Sequence, residues 1–289
     1  LHTVIECAKL AFADREAYYG DPLFDDPRLE ILLSREYTEA RRAMVEHTAS
    51  LAMRPGDTGA GTPEYATVDV AADNRGALRI GARPVQDLGI GHAHVGDTTH
   101  LDAIDRDGNM VAATPSGGWL GTSPVIKGLG FPLGTRGQMF YLNPERPNAL
   151  EPRKRPRATL TPSLVTQNGG PFMVFGTPGG DAQDQWTLQF FLNYIEFGMS
   201  LQEALDAPTV HSTHFPSSFY PRAAFPGHVS IENRISSEVI SELSARCHDV
   251  EEVEGWINGK TMGIRYDSER GVISGAVAAK GTIGYVIGW

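Results

Sequence analysis

The chain has 289 residues, of which 41% are hydrophobic and 21% charged, a composition typical of a folded globular protein with material for one or two domains. Its formal net charge is −10, from 25 basic and 35 acidic residues, and no basic run interrupts this excess of acid. The charge argues against a partner such as nucleic acid or an anionic membrane, and no apolar stretch reaches the ~20 residues that span a bilayer.

Cysteine use and the N-terminus bear on the compartment. Cys7 and Cys247 lie in predicted helices far apart in the sequence, where burial is expected, so no disulfide framework is predicted. The first residues lack the basic-then-apolar plan of a signal peptide, which favours the cytoplasm. Because Leu1 already falls inside a predicted helix, we expect further residues to precede it.

The first third of the chain predicts two helices and an irregular stretch. Apolar residues recur at three-to-four spacing from Leu1 to Tyr19 and predict an amphipathic helix. Ser34 is the predicted N-cap of a second helix, from Arg35 to about His47. The stretch 50–91 is rich in Gly, Ala, Pro, Asp and Thr, and suits either an interdomain linker or a functional loop.

The remainder predicts alternating strands and helices. A β-hairpin with an Asp-Gly turn is expected between Thr98 and Thr114. The later predicted elements are a strand at 171–175, a helix from Asp181 to about Phe197, short helices at 201–207 and 235–245, and a final β-like run at 282–289.

Thr98 is the first candidate catalytic residue, and it lies where a polar segment leads into the predicted hairpin. If the bond between Asp97 and Thr98 were cut, Thr98 would begin a new chain. Its α-amino group, with an unperturbed pKa of about 7.7–8.0, could then take the proton from its own hydroxyl. The residues alone also suit an ordinary hairpin, and without further evidence that simpler interpretation is preferred.

The segment from Gly176 to Asp181 is the second candidate, because it joins a predicted strand to a helix. Backbone N–H groups at such a turn point outward and suit the stabilisation of negative charge. The simpler alternative is a turn whose Asp181 caps the helix. We expect no metal site and no cofactor. His92 and His94 lie close together, but no HExxH motif, CxxC motif or group of carboxylates accompanies them.

Taken together, these motifs resemble the γ-glutamyltransferase family of N-terminal-nucleophile hydrolases. The likeness is carried by Thr98-Thr99-His100 with the Asp-Arg-Asp-Gly-Asn turn, by Lys154-Arg155-Pro156, by 177–181, and by the phrases at 10–15 and 19–22. The resemblance implies an α+β fold that is part of a four-layer αββα sandwich. It implies a division into residues 1–97, the end of a large subunit, and 98–289, a small catalytic subunit.

The resemblance also implies roles for individual residues. Thr98 would be both the self-cleavage site and the nucleophile, and Ser116 would supply a hydroxyl that activates it. Gly179 and Gly180 would form the oxyanion hole. In the family a preceding large-subunit segment completes the fold and supplies an arginine for the substrate carboxylate, so we expect that segment as a partner in a heterodimer of processed subunits.

The substrate side of the resemblance is incomplete. Gly118 stands where the family has a substrate-binding Asn, Tyr141 replaces the Asp that pairs with the glutamyl amino group, and Ala158-Thr159 replaces a pair of serines. A charged glutamyl headgroup would lose the groups that compensate for its desolvation. We therefore expect a small-molecule amide or γ-glutamyl-like substrate other than glutathione.

Three further residues are candidates for the substrate pocket, and two alternative functions stay open. Gln138 lies in the segment with Tyr141, while Asp181 and Gln183 occupy the first turn of a predicted helix and could face the pocket. One alternative is a homologue from a secondary-metabolite pathway that hydrolyses an amide or a carbon–carbon bond beside a carbonyl. The other is an unprocessed homologue that binds without catalysis.

Overall fold

The structure is a computed structural model, and it describes residues 1–59, 61–63, 98–117, 123–219, 222–280 and 284–289. Most of the predicted irregular stretch lies outside these ranges. So do Asp97, Gly118, His92 and His94.

Five of the six helices within the described ranges correspond to predicted ones, and the short α2 was not predicted. They are α1 (His2–Tyr18), α2 (Leu29–Leu32), α3 (Arg35–Arg42), α4 (Gln183–Ile195), α5 (Leu201–Asp206) and α6 (Ser237–Ala245), with 3-10 turns at Thr135–Met139 and Gly180–Ala182. Ser34 caps α3 as predicted, since its hydroxyl accepts the Tyr37 N–H at 3.2 Å. A capping box of Ser200 and Glu203 begins α5.

The strands form three sheets. They are β1 (Leu101–Ile104), β2 (Met110–Ala113), β3 (Ser163–Gln167), β4 (Gly170–Gly176), β5 (Val210–Ser212), β6 (His228–Glu232), β7 (Asp249–Val253), β8 (Met262–Asp267) and β9 (Val272–Val277). The hairpin β1–β2 is one sheet, the antiparallel order β3-β4-β8-β9 is the second, and β5-β6-β7, with a parallel β6–β7 pair, is the third. Helices and sheets together give the predicted α+β class.

Strand β4 is the centre of the main core. It is buried from Phe172 to Gly176, and a strand with no exposed residue needs cover on both faces. Helix α4 and the β1–β2 hairpin both pack against it, and α5 packs on β8 and β9. A second core joins Ile5 of α1 and Leu243 of α6 to the three-stranded sheet. This arrangement brings the hairpin to the C-terminal end of β4.

Two predictions about the periphery are wrong. Cys7 and Cys247 are exposed rather than buried, and Cys247 lies beyond α6 with a left-handed φ of 67°. The last residues, 284–289, form no strand. The tail lies against β9, where a Cβ at Gly275 would come within 2.8 Å of Val286, but it makes no hydrogen-bonded ladder. Apolar alternation alone does not make a strand, because a strand also requires backbone pairing with a neighbouring strand.

Element boundaries also differ in three places. The first strand begins at Leu101 rather than Thr98, so Thr98 lies in the loop that leads into it. Helix α3 ends at Arg42, before the predicted His47, because Met44 and Val45 continue only as a turn. The helix expected from Asp181 starts as a 3-10 turn and becomes α-helical at Gln183.

Candidate active site

Two hydroxyl groups meet at the open end of the hairpin. The register pairs Leu101 with Ala113, and continuing it by three residues places Thr98 opposite Ser116. The Thr99 N–H donates to the Pro115 carbonyl at 3.1 Å, which extends the pairing in that direction. Thr98 Oγ1 then lies 2.5 Å from Ser116 Oγ, a hydrogen bond in which either group can be the donor. These two residues are called the hydroxyl pair below.

His100 fixes the hairpin to β4. Its ring nitrogens bond to Thr114 Oγ1 at 2.7 Å and to Asp102 Oδ1 at 2.9 Å, and the ring is buried. The ring fills the space beside Gly176, where a Cβ would overlap it. Burial raises the pKa of Asp102, although its bond to His100 opposes that shift. The hydroxyl pair is therefore held close to the residues that follow β4.

The segment that follows β4, from Thr177 to Asp181, is called the glycine turn. Gly179 and Gly180 have positive φ values of 145° and 56°, which side chains rarely tolerate. Each also has a close aromatic neighbour: a Cβ at Gly179 would overlap Trp186, and one at Gly180 would lie 3.2 Å from Phe219. The chain can take this path only because both residues lack side chains.

Gln183 supports the glycine turn from inside the protein. When its amide is oriented so that the nitrogen donates to the carbonyls of Thr159 and Thr177, at 3.2 and 3.0 Å, its oxygen lies 3.3 Å from the Gly180 N–H. The side chain is fully buried. Its position indicates that it shapes the turn, rather than meeting a substrate as expected from the sequence.

Asp181 is also hydrogen-bonded to other residues of the protein. Its carboxylate accepts a hydrogen bond from the Arg15 guanidinium at 2.6 Å. It also accepts hydrogen bonds from the Ser218 N–H at 2.7 Å and the Ser218 hydroxyl at 2.6 Å. Because Arg15 belongs to α1, this ion pair links α1 directly to the glycine turn, and the guanidinium also stacks over Phe12 of the same helix at 4.4 Å. Three of the roughly four acceptor positions of the Asp181 carboxylate are occupied by protein, which leaves little capacity for the predicted substrate contact.

Tyr141 belongs to the same buried network. Its hydroxyl donates to Glu16 Oε2 at 2.5 Å, and Glu16 Oε1 also bonds to Arg157 at 2.7 Å and Arg15 at 3.0 Å. Burial would raise the pKa of Glu16, but Arg157 and Arg15 outweigh it and lower that pKa to about 2. Burial, together with the Glu16 charge, raises the pKa of Tyr141 to about 12. We call Arg15, Glu16, Arg157 and Asp181 the ion cluster.

The remaining predicted substrate residues are dispersed. Gln138 is exposed at the end of a 3-10 turn, and Ala158 is exposed as well. Thr159 is buried, and its hydroxyl has no hydrogen-bond partner within the described part of the chain. The structure therefore brings together Thr98, Ser116 and the glycine turn but does not gather the predicted substrate residues into one pocket.

Sequence reasoning missed several side chains at the site. Arg15 ends the quoted phrase at 10–15, and Arg157 lies between the quoted Pro156 and Ala158, yet nothing in the spacing indicated that the two arginines share Glu16. No sequence motif pointed to Arg136, whose guanidinium donates a hydrogen bond to Ser116 Oγ of the hydroxyl pair.

One group of candidate metal ligands in the described ranges lies outside this site. The ligand atoms of His2, Glu6 and His248 are within 4.8 Å of one another. However, His2 bonds to His248 at 2.8 Å and to the Glu46 carbonyl at 2.8 Å, while Glu6 pairs with Lys9 at 2.5 Å. All three residues already have partners and the Lys9 ammonium bonds to Glu6, so the group fits an internal network better than a metal centre. None of the helices in the described ranges has the length and apolarity needed to cross a bilayer.

Comparison with known proteins gives consistent matches. A family model described as Gamma-glutamyltranspeptidase matches residues 1–284. The glutathione hydrolase proenzyme of Pseudomonas sp. (strain A14) is 32% identical over 230 residues, covering 75% of this chain and 35% of the relative. Curated relatives also include proteins named acylase and oxamate amidohydrolase proenzymes.

Solved structures give the same result. That of LmbA2991HD is 44% identical with a TM-score of 0.86, covering 100% of this chain and 48% of that one. Cephalosporin acylase from Bacillus halodurans is 27% identical with a TM-score of 0.72, covering 96% and 43%. The chain thus spans less than half the length of each of these three proteins. The matches confirm the predicted resemblance and the predicted type of fold.

Proposed function

The chain belongs to the γ-glutamyltranspeptidase family of N-terminal-nucleophile hydrolases and acyltransferases, and from that premise we propose that Thr98 is its nucleophile after self-cleavage of the Asp97–Thr98 bond. The proposal divides the protein into residues 1–97, which end a large subunit, and 98–289, which form the small subunit. The observation that carries it is the 2.5 Å contact of the hydroxyl pair at the end of β4.

The proposed reaction is acyl transfer through a covalent intermediate. The free α-amino group of Thr98 takes the proton of its own hydroxyl, and Oγ1 attacks the carbonyl carbon of an amide. The C–N bond breaks, the leaving amine receives that proton, and an ester of Thr98 remains. Water or an acceptor amine then attacks the ester and returns the hydroxyl proton. Ser116 stabilises Oγ1 as it becomes the nucleophile.

The glycine turn is the proposed oxyanion site. Gly179 and Gly180 supply backbone N–H groups beside a helix start, a favourable place for developing negative charge. The 3.3 Å contact from the Gly180 N–H to Gln183 is at the weak end of hydrogen-bond geometry. A charged oxyanion would compete well for that donor.

The proposed substrate is an N-acyl amide whose acyl group lacks the free amino-acid headgroup of glutathione. The hydroxyl of Tyr141 is committed to Glu16, and Ala158 cannot donate a hydrogen bond. The names of the relatives are compatible with this breadth, because the same family includes a glutathione hydrolase and a cephalosporin acylase.

The test of self-cleavage uses the full-length protein that contains this chain. Intact mass and N-terminal sequencing should find a fragment beginning at Thr98. Thr98→Ala should give one uncut, inactive species, and Thr98→Ser, which keeps the hydroxyl, should still be cut. Efficient cleavage of Thr98→Ala would overturn self-cleavage by Thr98, whereas a wild-type protein that is never cut would favour the unprocessed, non-catalytic alternative.

The substrate test compares a γ-glutamyl anilide with a panel of N-acyl anilides on the processed protein. We expect the γ-glutamyl compound to be disfavoured by about 10⁴ in kcat/KM, the usual penalty for an unpaired polar group in a site built for another ligand. Selective γ-glutamyl turnover would show that other residues rebuild the headgroup site and would overturn this part of the proposal.

A further inference from the structure

Arg136 lies beside the hydroxyl pair. It belongs to the 3-10 turn Thr135–Met139, is half-buried, and donates an Nη2–H to Ser116 Oγ. Because Ser116 also contacts Thr98 at 2.5 Å, a hydrogen-bonded path runs from the guanidinium to the proposed nucleophile.

The surroundings hold the guanidinium in this place. Gly117 has a φ of +74°, and a Cβ there would lie 2.8 Å from Thr135 Oγ1 and 3.3 Å from Arg136 Nε, so only glycine lets the turn approach so closely. On its other side the guanidinium stands 5.7 Å from the centre of the Phe219 ring. Phe219 in turn packs on Gly180. Arg136 therefore spans the distance between the hydroxyl pair and the glycine turn.

The donors and acceptors along this path can be ordered. Arginine only donates, so Ser116 Oγ must accept from Arg136. The hydroxyl proton of Thr98 is the one that its own amine removes, which leaves Thr98 Oγ1 to accept from Ser116. The order is then Arg136 N–H to Ser116 O–H to Thr98 Oγ1, and a charged donor at the start of a chain strengthens the bonds that follow.

We propose that Arg136 is a positioning residue of the site, one that fixes the direction of the Ser116 hydroxyl toward Thr98 and places a positive charge behind the nucleophile. This inference rests on the proposed function, because it needs Thr98 with a free amine. Arg136 touches neither the reacting carbonyl nor the leaving group in this role. It acts through Ser116 and through its electric field.

The field of Arg136 has a measurable consequence at the Thr98 amine. A nearby cation disfavours the protonated amine, so it lowers the pKa of the base and increases the neutral fraction near pH 7. Removing the charge should move the acid limb of the pH–rate profile upward by about one pH unit, as expected for a charge several ångströms away in a partly solvated site.

Other charged groups face this region and stay unchanged in the test. His100 and Asp102 belong to the hairpin, and Arg15 and Asp181 lie behind the glycine turn. Because these groups are common to all variants, a difference between the variants reports Arg136 alone.

The experiment compares Arg136→Gln with Arg136→Lys in the processed full-length protein, after mass spectrometry has shown how much of each is cut. The substrate is the N-acyl p-nitroanilide that the wild type hydrolyses fastest. For Arg136→Gln we expect kcat/KM about 10²-fold lower and the acid limb about one unit higher. Arg136→Lys keeps the charge and should restore the limb, though not the full rate, because it loses the planar donor geometry.

A direct measurement avoids dependence on a substrate. Titration of ¹⁵N-threonine-labelled processed protein by NMR should give a higher pKa for the Thr98 amine in Arg136→Gln than in the wild type. Ser116→Ala tests the path: adding Arg136→Gln to it should reduce the rate by much less than 10²-fold, because the link is already broken.

The outcomes separate this inference from the proposed function. An uncut wild type defeats both. A processed, active wild type whose amine pKa and acid limb are unchanged in Arg136→Gln defeats only the inference, as would equal rate losses with and without Ser116. A raised KM confined to anionic acyl groups would instead assign Arg136 to direct substrate binding, which also overturns the positioning role.

Discussion

The hydroxyl pair and the ion cluster lie on either side of the glycine turn, and they are built in opposite ways. Thr98 and Ser116 are partly exposed, neutral and joined by one hydrogen bond. Arg15, Glu16 and Arg157 of the ion cluster are buried, the Asp181 side chain is 15% exposed, and each carboxylate accepts several bonds. The side chains proposed to react keep access to a substrate. Those that define the path of the turn are buried or nearly so, and they are paired with one another.

The geometry of this site is specified partly by neighbouring residues and partly by distant ones. The hairpin register alone sets the hydroxyl pair, because both residues lie at one end of a short antiparallel ladder. The glycine turn, in contrast, depends on Arg15, which is 166 residues from Asp181 in the chain. A reactive position can be encoded locally, whereas the orientation of its oxyanion turn requires the packing of α1.

The largest expected effect is the loss of one partner in the ion cluster. Arg15→Met leaves the carboxylates of Asp181 and Glu16 in a buried place without their shared cation. Breaking a buried ion pair in this way costs about 3–5 kcal/mol. We expect a decrease of that size in the free energy of unfolding of the processed protein, measured by urea denaturation.

Arg35→Met is the matched control for this change. Arg35 pairs with Glu39 at 2.8 Å, but both side chains are largely exposed, at 92% and 60%. An exposed pair contributes at most about 1 kcal/mol. Equal effects of the two substitutions would show that the ion cluster is no more important to stability than a surface pair, and the contrast drawn above would fail.

Sequence patterns were sufficient for the elements with strong local signals. The spacing in α1, the capping residue Ser34 and the Asp-Gly hairpin turn each predicted the element that the structure contains. The hairpin register also follows from the turn, so the meeting of Thr98 and Ser116 could be expected. Local signals fail where an outcome depends on a distant neighbour.

The ion cluster and Arg136 are examples of that failure. The Tyr141 phenol could be recognised as a departure from the family, but its bond to Glu16 joins residues 125 positions apart. Arg136 lies in an irregular segment where no periodicity indicates which way a side chain points. The exposed cysteines fail for a similar reason, since a helix pattern does not say which face the rest of the protein covers.

A smaller effect should follow from disturbing the hairpin side of the site. Gly176→Ala places a methyl group where the His100 ring lies, and bonds to Thr114 and Asp102 hold that ring. Inserting a methyl group into a packed place costs about 1–3 kcal/mol. We expect the midpoint of thermal unfolding to fall, and turnover to fall with it as the hairpin shifts.

Gly134→Ala provides the control, because its φ is −64° and a Cβ there would meet nothing within 4 Å. It should be close to neutral in both measurements. If Gly176→Ala were equally neutral, His100 would not fix the hairpin to β4, and the hydroxyl pair would need another anchor.

The smallest effect concerns acid, and it separates the ion cluster from the buried histidines. Glu16 has a pKa of about 2, so it stays charged through the mildly acidic range. His214 behaves differently: burial, with the charge of Lys9, lowers its pKa to about 4. The Gly227 N–H donates to its Nδ1 at 3.0 Å, which requires that nitrogen to be unprotonated.

The sign of the pH dependence follows from these values. A histidine in the unfolded chain titrates near pH 6.5, whereas His214 in the folded protein titrates near pH 4. Between these two pH values the histidine is protonated in the unfolded chain and neutral in the folded protein. Stability therefore falls as the pH drops through this window, by about 1.4 kcal/mol per unit, or on the order of 2 kcal/mol at pH 5.

His214→Gln keeps an acceptor but cannot titrate, so its unfolding free energy should fall less between pH 7 and 5 than that of the wild type. If His214→Gln retained the full wild-type slope, the acid sensitivity would have to come from other groups, first of all His211 and His248, whose pKa burial also lowers to about 4.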